Sequence, residues 1–272
     1  MDNNIIGPTK VNSRLLQVAN TILCNFSMTT TPNLINGRMG VCLFLYEYAR
    51  FTGIKEYEDI ADEMIDLILK ILHKGQGEDN ITTLSEIGIG VVYLIARQFL
   101  EDTDDHDSLE EVDKLLLKTI ESAKEPSLMV VQSALYFIYR FSYYRVGLDK
   151  GYCYKVAGQL VNIFQNHECA SEEDGKVWKY ILHNAMLIYR VSQEEGFSQC
   201  KDNYVFLEIE HKNWANQINA DDMWKSFLFG RKTLGDPMDD DTLSELCCNC
   251  FYDSDRVMGI LCSYGMMEIV NK

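Results

Sequence analysis

The chain predicts an all-α fold, a complete or partial α/α toroid of about five or six helix-pair repeats in a single domain spanning residues 1–272, and three observations carry that expectation. Only four of the 272 residues are proline, so long helices are permitted almost everywhere. Segments with one wet face alternate with segments that are apolar nearly all round. The apolar segments each contain a small residue early, and these recur at similar intervals: 48 residues from Gly40 to Gly88, 46 to Ala134, 51 to Ala185 and 74 to Gly259.

The first apolar segment, "MGVCLFLYEYA" from Met39, follows a pair of glycines, Gly37 and Gly40. From Val41 to Phe51 its only charges are Glu47 and Arg50, which makes it too short and too polar to cross a bilayer. It reads as a helix buried on most sides. "YEDIADEMIDLILKIL" follows, with Ile60, Met64, Leu67, Ile68 and Ile71 expected on a dry face and Asp59, Asp62, Glu63 and Asp66 on a wet one. "IGIGVVYLIA" from Ile87 is the second dry helix. In "SLEEVDKLLLKTIESA" a capping box of Ser108 and Glu111 would open a half-wet helix whose dry side is Leu109, Val112, Leu116 and Ile120.

"QSALYFIYRF" from Gln132 is the third dry helix, "YKVAGQLVNIFQ" a further half-wet one, and "HNAMLIYRV" from His183 the fourth dry one. The long gap before the fifth, "VMGILCSYGMMEI" from Val257, leaves room for a degraded unit at "DMWKSFLFG", residues 222 to 230. One short strand or helix start is read at 203–210, and the acidic stretches at 101–107 and 235–241 read as solvated loops without a calcium-loop spacing. The second helix of each pair is drier than the first, as an inner layer ringed by an outer one requires; an open solenoid would leave both with a solvated edge.

A net charge of −16 argues against phosphate backbones and anionic lipid as partners, and favours encounter with a basic segment. The N-terminus shows no secretory pattern. Nine cysteines, an odd number, lie partly inside apolar runs, as Cys42 and Cys262 do, which suits reduced core thiols and a cytoplasmic setting. No nucleophile elbow, phosphate-binding glycine loop or H-E-x-x-H occurs.

"NGRMGVCLFLYEYARFTGIKEYEDIADEMIDLI" resembles the first repeat of the lanthionine synthetase C-like family, in which a Gly-x-x-Gly turn opens an inner helix and an amphipathic outer helix follows. "LSEIGIGVVYLIARQFL" is similar to the second. The resemblance covers about residues 35 to 120 well and extends in rhythm to about 195. It implies an α/α toroid, and in active members a zinc ion, held by two cysteines and a histidine, that activates a peptide thiol for thioether-ring closure in lantibiotic-type bacterial pathways. Those ligands lie in Trp-Cys-x-Gly and Cys-His-Gly motifs. Here "GYCYK" echoes the first, with Tyr152 and Lys155 in place of the tryptophan and glycine, and no Cys-His pair occurs; "NHEC" places His167 and Cys169 two apart in the opposite order.

Metal candidates are therefore Cys153 and the C-x-x-C pair Cys247 and Cys250, with Cys262 and His183 as further donors, each weighed against packing as a small apolar side chain. No cofactor is expected, zinc being the one the resemblance allows. Residues at the entrances of inner helices would line the mouth of the cavity; by register they are Arg38, Glu86, Gln132, His183 and Arg256. No catalytic residue is assigned. The expected role is an accessory or degenerate component of peptide modification, its partner a peptide substrate or a modifying enzyme. Two alternatives are a zinc-dependent peptide cyclase with rearranged ligands and a carbohydrate-active α/α barrel using Glu86 with Asp253 or Asp255.

Overall fold

In the computed structural model, the residues described are 13–73, 80–101, 109–168, 171–193, 240–249 and 254–270. Ten α-helices account for most of them: α1 Ser13–Asn25, α2 Arg38–Thr52, α3 Lys55–His73, α4 Ile81–Ala96, α5 Glu110–Ser122, α6 Leu128–Tyr143, α7 Lys150–Gln165, α8 Glu172–Ser192, α9 Asp240–Asn249 and α10 Ser254–Val270. A 3-10 turn, Phe26–Met28, follows α1, and no strand occurs among the described residues. The strand read at 203–210 and the unit at 222–230 lie outside them. No described helix is long and apolar enough to cross a membrane.

The chain divides into two compact units, Met1–Ile68 with Asp221–Lys272, and Leu69–Ala220. The first brings together helices from both ends of the chain. α10 packs on α2 and α1, and α9 packs on α1 and α10. The entrance to α2 is tight for a steric reason: a Cβ on Gly37 would overlap the backbone of Asn33, and one on Gly40 would overlap the carbonyl oxygen of Leu34. Arg38 closes this turn, its backbone N–H donating to Thr31 O at 2.9 Å and its Nε to Thr29 O at 2.8 Å. At the other end Gly53 takes a left-handed φ of 73°, and its N–H caps the Ala49 carbonyl at 2.7 Å.

Helix α2 is buried at every position from Val41 to Ala49, including Glu47. Its apolar run reflects contacts on all sides. Two polar links tie it to α3: the Tyr46 hydroxyl donates to Asp62 at 2.6 Å and the Cys42 thiol to the Ala61 carbonyl at 3.2 Å. The dry face of α3 is Ala61, Met64, Ile65 and Ile68. Leu67, expected on that face, is 51% exposed, because a stripe centred on 61, 64, 65 and 68 leaves residue 67 about 100° away.

In the second unit α4 packs on α6 and α6 on α8, while α5 and α7 pack on α6 and against each other and α7 runs along α8. α4 and α6 are dry as expected, whereas α8, expected to be drier than α7, keeps an exposed face with Lys176, Lys179 and Arg190. α4 is buried over Thr83–Leu94 and α6 over Ser133–Phe141. Gly88 lets α4 approach α6 closely: a Cβ there would lie 2.5 Å from Tyr136 Cε2. α5 buries Leu109, Val112, Leu116 and Ile120 as expected, and Asp113 with them. Its N-cap is Leu109, with no side-chain cap; Ser108 lies outside the described residues. Ser127 caps α6 and Asp149 caps α7 through bonds to the Val130 and Tyr152 amides.

Candidate functional site

The five expected entrance residues occupy unequal positions. Arg38 is the first residue of α2 and Arg256 the third of α10, in the first unit, where these two helices pack together. Arg256 is exposed, whereas Arg38 is half-buried and committed to the Thr29 carbonyl. Glu86 lies one turn inside α4 and Gln132 one turn inside α6, because these helices begin at Ile81 and Leu128 rather than at the first apolar residue. His183 is midway along α8, which starts at Glu172.

Glu86, Gln132 and His183 nevertheless share one register in the second unit. Each stands two residues before the small residue of its helix, Gly88, Ala134 or Ala185, on three helices packed in succession. Glu86 is 8% exposed, and Gln132 and His183 are half-buried. Two atoms on α6 stand out: Gln132 Oε1 and the Ser133 hydroxyl are buried with no hydrogen-bond partner among the described residues. Each such group costs about 1–3 kcal/mol unless a ligand or water satisfies it. Sequence reasoning named Gln132, whereas Ser133, the next residue and about 100° further round α6, was not named.

The most buried charges lie on the outer side of α6. Arg140 is fully buried, its Nη2 3.5 Å from Asp113 Oδ2, and the Tyr136 hydroxyl donates to Asp113 Oδ1 at 2.5 Å. The same guanidinium donates to the carbonyls of Tyr144 and Val146, at 2.5 and 2.8 Å, and sits 4.6 Å from the Tyr144 ring centre. It holds the turn between α6 and α7. The signal was available: Asp113 falls on the apolar stripe of α5, four residues after Leu109 and three before Leu116.

Zinc binding by two cysteines and a histidine needs accessible thiols of lowered pKa converging on one point. Cys153, in the echo of the family's first motif, is 2% exposed on α7; burial, then the Asp113 carboxylate, pushes its thiol up to about 12. Cys247 on α9 is half-buried and its thiol is also raised by burial, opposed by a hydrogen bond with Thr21. Cys262 is buried on α10. His183 belongs to the second unit, whereas Cys247 and Cys262 belong to the first. No group of three or more His, Cys, Asp or Glu side chains suited to a metal occurs among the described residues. Cys250 and Asp253, named as a metal donor and a carboxylate partner for Glu86, lie outside those residues, as does the side chain of Asp255. The described donors do not fit the family's zinc site.

No match was found among curated proteins or among solved structures. The glycine-led α2, buried from Val41 to Ala49, the dry α4 and α6, and α5, α7 and α8 packed with them all lie within residues 29–204, which match the model for lanthionine synthetase C-like protein. That is well over half of the chain, and the chain belongs to the lanthionine synthetase C-like family.

Proposed function

We propose that this protein is a non-catalytic, accessory member of its family, which binds a peptide substrate or a partner modification enzyme through the inner-helix row and the acidic surface. Membership of the family suggests a role related to lanthionine synthetase-type peptide modification. The observation that carries the non-catalytic reading is the state of Cys153: the thiol at the motif echo is buried and held protonated, which is unfavourable for a zinc ligand. The row Glu86, Gln132 and His183 supports ligand binding. Gln132 is half-buried, and its Oε1, without a partner among the described residues, is an acceptor for an N–H group of a bound backbone. A net charge of −16 supports a basic segment as the bound part, steered by charge and held by apolar contact. In this reading no cofactor takes part.

The test is a fluorescence titration of the full chain with a labelled lysine-containing peptide that carries dehydrated residues and one cysteine. Saturable binding is expected, weakened by salt and by Gln132→Ala, with the peptide thiol still open to alkylation after incubation. Loss of the alkylatable thiol without change of mass would show ring closure and overturn the reading, as would failure to bind.

A further inference from the structure

The exposed face of α8 has a character opposite to that of the chain as a whole. Lys176, Lys179, Met186 and Arg190 follow one another at steps of three, seven and four residues, the three-four spacing of a seam that meets a partner helix. The opposite face is dry, with Tyr180, Ile181, Asn184, Ala185, Leu187, Ile188 and Val191 buried. Lys176, Lys179 and Arg190 are exposed, and Met186 is 56% exposed in the middle of the row. Acidic residues in α8 are confined to its first three positions, so the helix has no carboxylate after Gly175, in a chain whose net charge is −16.

Helix α7 extends this face. It runs antiparallel to α8, since Tyr154 stacks on Tyr189 at 4.8 Å while Phe164 meets Trp178 at 5.4 Å. It carries Lys150 and Lys155, the latter 3.6 Å from Glu121 of α5, and has no acidic residue of its own from 150 to 165. Tyr154 is 45% exposed and shares a 3.0 Å hydrogen bond with the Tyr189 hydroxyl, placing an aromatic platform beside Met186 and Arg190 in the α8 sequence. Lysine and arginine around a methionine and a tyrosine pair form a surface for a carboxylate-rich helix with apolar anchors.

We infer that the α7–α8 face docks an acidic amphipathic helix of a partner protein, with Met186 and the Tyr154–Tyr189 pair receiving its apolar side chains. The row from Lys176 to Arg190 spans 15 residues, about 21 Å at a rise of about 1.5 Å per residue, so a partner segment of about 15 residues matches it. Basic-segment binding at Glu86 and Gln132, on α4 and α6, is read separately through Gln132→Ala.

The test uses the full chain and a fluorescein-labelled helical peptide of about that length, with leucines at three-four spacing flanked by glutamates. Saturable binding is expected, weakened at least about tenfold by Lys179→Glu with Arg190→Glu, weakened by Met186→Asp, and unchanged by Lys70→Glu on α3. Far-UV circular dichroism checks that the variants remain folded. The proposal is overturned if the peptide does not bind, or if the double variant binds it as tightly as the parent. It is also overturned if the double variant loses affinity only for phosphatidylserine vesicles, which would assign the face to a lipid surface.

Discussion

Asp113 and Arg140 illustrate how much of this fold rests on single buried groups. A buried pair gains little over an apolar pair of equal shape, yet removing one partner strands the other charge. Asp113→Ala should therefore destabilise the protein by about 3–5 kcal/mol, read as a shift in the urea midpoint, while also freeing Tyr136 of its acceptor. Cys153, packed beside the same carboxylate, makes a second prediction. Its folded thiol, at about 12, lies above the ordinary value of 9.0, so the native state retains the proton longer than the unfolded chain. The stability this contributes is intact below about pH 9 and is lost as pH rises through about 12. Cys153→Ala should remove that part of the alkaline fall in unfolding free energy, and the native thiol should resist alkylation while exposed Cys24 and Cys248 react.

Helix–helix contacts show why some elements were readable and others were not. A helix buried on all sides carries an almost unbroken apolar run, so α2, α4, α6 and α10 were legible as dry segments with small residues where neighbours crowd. Gly88→Ala tests that crowding: the added methyl meets the Tyr136 ring at 2.5 Å, and a loss of about 1–3 kcal/mol in thermal or urea unfolding is expected. Helix starts were less legible. Glu172 to Leu182 mixes charges with Trp178 and Tyr180, which hid the first half of α8 and made His183 look like an entrance. Leu67 misled in the opposite sense, since an apolar residue on a wet face costs little and leaves no trace in composition. Asp113 was hidden because a carboxylate inside an apolar stripe reads as an interruption until its tyrosine and arginine partners are seen.

At the scale of the molecule, the family and the all-α character were legible from the Gly-x-x-Gly entrance and the alternation of wet and dry helices, and the match over residues 29–204 bears them out. The row Glu86, Gln132 and His183 was legible only as a register; the orphaned Gln132 and Ser133 atoms depend on how α6 packs, which no spacing reveals. We propose that this member keeps the helical scaffold of its family without the metal chemistry of a peptide cyclase. The zinc content of the full chain purified without added metal decides this. Zinc far below one per chain is expected; stoichiometric zinc, lost on Cys153→Ala or Cys247→Ala, would overturn the non-catalytic reading.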